Sequence, residues 1–277
     1  MGVMKDMTSD RAAAFAELVR EAGELVEQAA RARKRTLALS PEVAALLERV
    51  VGAAAAAPPV PERAGLEDVA DLETLRGEVA GCRKCGLAES RTQTVFGAGN
   101  PHADLVFVGE APGEHEDLQG VPFVGRAGGF LTDVIEKGLK MTREDVFICN
   151  VLKCRPPGNR DPQPNEKEAC EPYLVRQLAV IKPKVICALG SHAAKMLLKT
   201  EGSVGQLRGK WHFYQGIPVR VTYHPSYIVR SEHEPDRHAA DKRKVWDDIK
   251  EVIRVLNGEI TPRPNSGGPA GGRDLSG

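Results

Sequence analysis

A repeated alternation of apolar runs with helical patterns is the feature that most constrains the fold. The strand-like runs cover residues 105–109, 146–150, 185–190 and 219–224. The helical patterns that follow them cover residues 127–139, 166–181, 191–199 and 240–256. Strands that are apolar throughout are buried on both faces, which is typical of a mostly parallel sheet covered by helices. The sequence therefore predicts an α/β fold around a mostly parallel four-stranded sheet.

Different patterns flank this region. Residues 1–57 contain two predicted amphipathic helices and are predicted to form an accessory helical extension. Residues 58–65 are predicted to be a Pro/Ala linker, because proline cannot continue a helix. The main domain is predicted over residues 66–257. The Gly/Ser/Pro-rich residues 258–277 are predicted to be a disordered tail.

Composition restricts the compartment and the partners. No apolar run approaches the roughly 18 residues that a membrane-spanning helix needs, and the first residues lack the apolar core of a signal peptide. We therefore expect a cytoplasmic protein with no membrane partner. Lys and Arg total 38, as do Asp and Glu, so the net charge neither indicates nor excludes a nucleic-acid partner.

Unusual polar residues stand at the carboxyl ends of the predicted strands. Glu110 follows the first strand and opens the loop "GEAPGEHEDLQGVPFVG". Asn150 ends the second strand, and His224 ends the fourth. Ligands of parallel α/β sheets bind beyond the carboxyl ends of the strands. The three side chains are therefore predicted to converge on one rim of the sheet.

The same loop argues against several common sites. It contains G-E-A-P-G rather than G-x-G-x-x-G, and Pro112 lacks the N–H that a pyrophosphate would accept. The chain has no G-x-x-x-x-G-K-[ST] loop, and its C-x-x-C pair lacks the H-x-E partner of zinc deaminases. Sugar hydrolysis by paired carboxylates is chemically compatible, but it would leave Phe123, Asn150 and His224 without a role.

The cysteines add a second candidate site. Structural disulfides are not expected in a cytosolic protein, because that compartment keeps thiols reduced. Cys82 and Cys85 form a C-x-x-C pair, which is a metal or redox candidate. Cys149 and Cys187 lie inside apolar runs and are predicted to be core residues.

Three segments resemble the site motifs of family-four (type-4) uracil-DNA glycosylases, the iron–sulfur branch of that superfamily. They are "GEAPGEHEDLQGVPFVGRAG", "NVLKCRPPGNRDPQPNE" and "HPSYIVR". The resemblance extends from Cys82 to about residue 256 and does not include the N-terminal helices. It implies a three-layer α/β/α sandwich, with 66–257 as the glycosylase domain. The implied activity is monofunctional: uracil is flipped out of DNA and its N-glycosidic bond is hydrolysed, leaving an abasic site for base-excision repair.

The resemblance also implies how uracil would be bound. Phe123 would stack on the flipped base, and the Asn150 amide would read its Watson–Crick edge. His224 would donate a hydrogen bond to uracil O2 as negative charge develops there.

Two carboxylates are the candidates for the sugar side of the reaction. Glu110 and Glu116 would orient water and stabilise positive charge on the sugar, with the backbone of Ala111 beside the base. Ala111 stands where many relatives have a second glycine. The segment after Cys154 contains no histidine for covalent capture of DNA, so turnover is expected.

The resemblance assigns four cysteines to a [4Fe–4S] cluster, namely Cys82, Cys85, Cys154 and Cys170. Their spacing alone suits both iron and zinc, because four thiolates bind either metal. The expected DNA contacts are the basic residues Lys153, Arg155, Arg160 and Arg230, with Tyr227 or Ile228 as a wedge between bases.

The expected partner is uracil-containing DNA, single- or double-stranded, and the expected state is a monomer. The sequence leaves open whether the N-terminal helices bind a protein partner. Two alternatives also stay open: a glycosylase that accepts other deaminated bases, and a non-catalytic iron–sulfur module that binds DNA.

Overall fold

The four predicted strands form the parallel centre of a larger sheet. The computed structural model describes residues 72–263. Its sheet has six strands in the order β1-β3-β2-β4-β6-β5. The strands are β1 (Ala98–Gly99), β2 (Leu105–Gly109), β3 (Phe147–Asn150), β4 (Val185–Leu189), β5 (Trp211–Tyr214) and β6 (Ile217–Thr222). Strands β3, β2, β4 and β6 are parallel neighbours, as predicted.

The predicted number of strands was too low, because two antiparallel strands close the edges of the sheet. Strand β1 pairs with β3, and β5 pairs with β6. Strand β1 has only two residues, and three of the four residues of β5 are half-buried, so neither has the continuous apolar run of a central strand. Gln215 and Gly216, with φ of 49° and 84°, make the tight turn between β5 and β6.

Helices cover the sheet on both sides. They are α1 (Leu72–Ala80), α2 (Leu87–Ser90), α3 (Glu114–Gln119), α4 (Arg126–Asp133), α5 (Pro164–Ile181), α6 (Gly190–Leu198), α7 (Val204–Leu207), α8 (Pro225–Arg230) and α9 (Pro235–Leu256). A π-helical segment, Val134–Leu139, continues α4, and a 3-10 turn covers Pro157–Asn159.

Alternate residues of each central strand enter two separate cores. In β2, Val106 and Val108 belong to a core that includes residues of α1, α5 and α6. Leu105 and Phe107 belong to the opposite core, which includes residues of α4, α8 and α9. Because successive side chains of a strand point to opposite faces, this division places one helical layer on each face. The fold is therefore the expected three-layer α/β/α sandwich.

Several predictions concern residues that the structure does not describe. The helical extension over 1–57 and the linker over 58–65 lie outside the described residues, as does the tail beyond residue 263. Residues 258–263 contain no helix or strand. Between residues 72 and 263, no helix has the length and apolar character needed to cross a membrane.

Candidate active site

One cleft of about 840 Å³ lies at the carboxyl ends of the parallel strands. Glu110 follows β2, Asn150 ends β3, and His224 lies two residues beyond the end of β6, and all three line this cleft. Helix α6, which begins directly after β4, adds His192 to the same lining. The parallel direction of four neighbouring strands thus brings distant parts of the sequence to one place.

Asn150 is buried at the base of the cleft. It is only 1% exposed, and its Oδ1 atom has no hydrogen-bond partner within residues 72–263. Its backbone carbonyl accepts a 2.6 Å hydrogen bond from Lys153 Nζ, which also donates to Gln177 Oε1 at 2.6 Å. A buried acceptor without a partner costs about 1–3 kcal/mol. Asn150 therefore offers a fixed acceptor that a bound ligand can satisfy.

Phe123 lies beside Asn150 in a strained conformation. Its φ is 54°, which is in the left-handed region that non-glycine residues rarely adopt. The ring is buried, and its centroid is 5.6 Å from that of the His224 ring. The start of α4 packs on the Phe123 backbone at Gly128, where a Cβ atom would clash with the Phe123 carbonyl. The aromatic face is therefore held rigidly in the cleft wall.

The His224 imidazole has a defined tautomer. Its Nδ1 atom accepts hydrogen bonds from the Ser226 N–H at 3.2 Å and from the Ser226 hydroxyl at 2.8 Å. The oxygen of the same Ser226 hydroxyl accepts from Arg230 Nη1 at 3.2 Å. With Nδ1 as acceptor, the proton of the neutral ring is on Nε2.

The charge of His224 follows from its surroundings. Burial, assisted by the positive charges of Arg230 and His192, lowers the pKa of His224 to about 4. The imidazole is therefore neutral at pH 7. It presents one N–H donor, at Nε2, and no positive charge.

Glu110 lies next to two residues that the sequence analysis missed. Its Oε2 atom is 3.8 Å from His192 Nε2, which is 3.7 Å from an Asp161 carboxylate oxygen. Burial raises the pKa of Glu110, the nearby His192 lowers it, and Asp161 raises it. His192 lies just beyond the end of β4. The rule that ligands bind beyond the carboxyl ends of parallel strands could therefore have identified it. Asp161 is in an irregular loop, where the sequence carries no such signal.

Glu116 has a different position from Glu110. Its carboxylate accepts three backbone N–H bonds, from Gly113 at 3.0 Å, Val124 at 2.9 Å and Gly125 at 3.0 Å. These bonds tie together the two ends of the loop between Gly113 and Gly125. Glu116 and Ala111 both line the cleft, but the contacts of Glu116 indicate that it supports the loop. A role of Glu116 in orienting water stays a prediction.

The predicted DNA-binding residues divide into two groups. Arg160, Tyr227 and Arg230 line the cleft. Arg160 makes a bidentate ion pair with Glu166, at 2.9 and 2.6 Å. Arg155 is outside the lining, where its Nε atom donates to Asn159 Oδ1 at 2.8 Å. Their contacts with DNA stay predictions.

Two other predicted DNA contacts were wrong. Lys153 is 1% exposed and its ammonium group is engaged with buried oxygens, so it does not reach a phosphate. Ile228 is completely buried in the core beneath α8, so it cannot act as a wedge. Tyr227 is the member of that pair that remains at the cleft, where its ring stacks on Tyr223 at a centroid distance of 4.9 Å.

The four cysteines with a predicted metal role line one small cavity. They are Cys82, Cys85, Cys154 and Cys170. None of them forms a disulfide. Arg91 Nη1 donates to Cys154 Sγ at 3.2 Å, and the Lys153 backbone N–H donates to Cys170 Sγ at the same distance. Four convergent thiols with N–H donors to sulfur fit an iron–sulfur cluster. Cys149 and Cys187 are buried in strands away from this cavity, as predicted.

Comparisons with known proteins identify the family of this chain. A family model of the uracil DNA glycosylase superfamily matches residues 96–250. The chain is 48% identical to the type-4 uracil-DNA glycosylase of Sulfurisphaera tokodaii, over 69% of this chain and 86% of that protein. It is 43% identical to the type-4 uracil-DNA glycosylase of Thermotoga maritima, over 68% of this chain and 96% of that protein. A type-5 uracil-DNA glycosylase of Pyrobaculum aerophilum is 31% identical over 46% of this chain and 63% of that protein. The chain belongs to the uracil DNA glycosylase superfamily, within its type-4 branch.

Proposed function

We propose that this protein is a monofunctional uracil-DNA glycosylase, which hydrolyses the bond between uracil and deoxyribose and leaves an abasic site. The observation that carries the proposal is the pair formed by Asn150 and His224 in one cleft. Asn150 supplies a buried acceptor without a partner, and His224 supplies a neutral ring with its proton on Nε2. Relatives that are 42–48% identical are named for this activity.

Asn150 selects uracil through the two polar groups of its side-chain amide. The Oδ1 atom accepts from uracil N3–H, and the NH₂ group donates to uracil O4. Cytosine has an acceptor at N3 and a donor at N4, so both pairings would be mismatched. A site built around a specific hydrogen-bond pattern rejects the wrong pattern strongly, because buried groups of the site are then left unpaired.

His224 stabilises the departing base. The electrons of the broken glycosidic bond move onto the uracil ring, and a donor at O2 stabilises the resulting anion. A neutral imidazole is suited to this task, because its Nε2–H donates a hydrogen bond without giving up the proton. Loss of one such preorganised donor typically raises a barrier by about 3–4 kcal/mol.

Glu110 acts on the sugar side. Positive charge develops on the sugar ring as the bond breaks, and an ionised carboxylate at the cleft stabilises it. The same group can accept a proton from the attacking water. The loop around Glu116 and Ala111 holds the backbone close to the flipped nucleotide, and we assign Glu116 an indirect role through that loop.

The four cysteines would hold a [4Fe–4S] cluster with a structural role. These residues would connect the segment between α1 and α2 with the connection between β3 and α5 and with α5 itself, which contains Cys170. Arg155 and Arg160 lie in that connection, and Tyr227 and Arg230 lie on α8 across the cleft. We propose that these four side chains contact the DNA backbone and the gap left by the flipped nucleotide. Residues 66–257 are the proposed catalytic domain.

The test is a uracil-release assay on single- and double-stranded oligonucleotides that contain one uracil. Wild type is expected to release uracil, and Asn150→Ala and His224→Ala are expected to lose most of this activity while still binding DNA. Asn150→Asp is expected to lose preference for uracil over cytosine. Gly129→Ala, an exposed helical position with no atom within 4 Å of the added methyl, is the matched control.

The same assay separates the alternatives. Equal release of hypoxanthine, xanthine or mismatched thymine would replace the proposal with a broader glycosylase. DNA binding without release of any base by wild type would indicate a non-catalytic module.

A further inference from the structure

A histidine and an aspartate outside the predicted site flank the proposed catalytic carboxylate. Glu110, Asp161 and His192 each contribute one polar side-chain atom to a group whose members lie within 4.8 Å of one another. His192 Nε2 lies 3.8 Å from a carboxylate oxygen of Glu110 and 3.7 Å from one of Asp161. The other ring nitrogen, Nδ1, is buried and has no partner within residues 72–263. The imidazole therefore directs its one accessible nitrogen at the two carboxylates.

The position of His192 follows from how α6 begins. The helix starts at Gly190, whose φ of 89° is readily adopted only by glycine. A Cβ atom at Gly190 would lie 2.9 Å from the Cβ of His224. The absence of this atom lets the first turn of α6 pack against His224. That packing places His192, two residues later, beside Glu110 on the cleft wall.

We propose that His192 is a positioning residue for Glu110: its imidazole, which faces the Glu110 and Asp161 carboxylates, directs the Glu110 carboxylate into the cleft and stabilises its negative charge. The proposal rests on the proposed function, because it concerns how Glu110 is kept ready to stabilise positive charge on the sugar. It adds Asp161 as the group that opposes this effect.

Electrostatics around Glu110 give the two neighbours opposite effects. Burial disfavours the charged form of Glu110 and raises its pKa. The charged groups that face it are His192 on α6, Asp161 before α5, Lys167 on α5 and Arg230 on α8. The cations favour its ionised form, and Asp161 disfavours it.

Other charged groups along the cleft have partners of their own. Arg160 pairs with Glu166, and Lys195 pairs with Glu201 at 2.8 Å. They therefore act less strongly on Glu110 than His192 does.

The sign of the expected pH effect follows. His192 lowers the pKa of Glu110 electrostatically, so its removal means that a higher pH is needed to ionise Glu110. Removal of Asp161 takes away a repelling charge, so Glu110 then ionises at a lower pH. Substituting the two neighbours is thus expected to move the acidic limb of the rate profile in opposite directions. A merely structural role would lower the rate without opposite shifts.

The experiment is the pH profile of single-turnover uracil release, because this rate reports ionisation within the enzyme–DNA complex. His192→Asn and His192→Gln are expected to move the midpoint of the acidic limb up by about 0.5–1 pH unit, and Asp161→Asn to move it down. His102→Asn removes an imidazole from an exposed turn outside the cleft and is expected to leave the midpoint unchanged.

Two results would overturn the inference while leaving the glycosylase assignment intact. One is an unchanged midpoint in both His192 variants, provided that each unfolds thermally as cooperatively as wild type. The other is a shift of the His192 and Asp161 variants in the same direction. Absence of uracil release by wild type at every pH is a different result, because it removes the proposed function and this inference with it.

Discussion

The side-chain oxygen of Asn150 occupies space that any side chain at Gly109 would need. A Cβ atom on Gly109 would lie closer than 3.0 Å both to Asn150 Oδ1 and to the Phe123 ring. Gly109 is the last residue of β2, and Asn150 is the last residue of β3, which pairs with it in register. The positions of Asn150 and Phe123 in the cleft therefore depend on the absence of a side chain at Gly109.

Gly109→Ala is expected to impair catalysis more than folding. The added methyl would displace Asn150 or Phe123, and a misplacement of about 1 Å can lower the rate by about 100-fold. The strain is expected to lower the free energy of unfolding by about 1–3 kcal/mol. Steady-state uracil release and urea unfolding measure the two effects. Gly129→Ala, in the exposed part of α4, should retain activity; an equal loss in both variants would contradict this account.

His224 is expected to make the stability of the protein depend on pH. Its pKa is about 4 in the folded chain, against about 6.5 for an unperturbed histidine, so the unfolded chain binds an additional proton between these pH values. The stabilisation is fully present above about pH 6.5 and is lost as the pH falls toward 4. We expect roughly 2 kcal/mol of loss between pH 7 and pH 5 from this residue.

The measurement compares urea unfolding of wild type and His224→Gln at both pH values. The variant should lack this part of the pH dependence. Parallel pH dependence of the two proteins would show that His224 is not buried in its neutral form.

The cysteine cavity is expected to hold iron. Cys85→Ser should lower the iron and sulfide content of the purified protein and destabilise it, because a bound cluster stabilises only the folded chain. Elemental analysis and thermal unfolding test this expectation. Cys187→Ala, in the core and away from the cavity, is the control and should keep its iron. Zinc in place of iron in wild type would contradict the assignment.

Asp248 is expected to be a major contributor to stability on the side of the sheet opposite the cysteine cavity. It is completely buried, and its two oxygens accept from Arg220 Nη2 and Arg208 Nη2, each at 2.9 Å. Asp248→Asn would leave two guanidinium groups without their counter-charge. Breaking a buried ion pair in this way costs about 3–5 kcal/mol.

The adjacent residue is the matched control. Asp247 is exposed and pairs with Lys250 at 3.2 Å, so Asp247→Asn is expected to change the free energy of unfolding by less than about 1 kcal/mol. Chemical denaturation of both variants checks the contrast. Similar losses would mean that the buried network contributes less than its geometry indicates.

The predictable part of the fold came from local patterns. The four central strands were predicted because burial on both faces requires runs such as "LVFV" in β2. The edge strands β1 and β5 were missed, since one is two residues long and the other is only half-buried. Such strands form through pairing with a neighbour, and their own sequence carries little of the signal.

The candidate site was also only partly predictable from local sequence patterns. Glu110, Asn150 and His224 were found because each stands at the carboxyl end of a predicted strand. The distinction between Glu110 and Glu116 was not accessible, because it depends on three backbone N–H groups that the loop brings to Glu116. Lys153 was misassigned for a related reason, since a lysine is usually exposed and only the packing shows that this one is buried.

The sequence by itself determined the α/β alternation and the residue types at the strand ends, because periodicity is a local property of a chain, and its resemblance to a known family singled out the four cysteines. Only the tertiary structure decided that His192 and Asp161 lie beside Glu110. It also decided that Gly109 leaves space for the Asn150 side chain, and that buried Lys153 donates a hydrogen bond to the Asn150 backbone carbonyl. These relationships join residues from different elements. They exist only after the sheet and its helical layers have packed, because contact distances and burial are set by that packing and not by position along the chain.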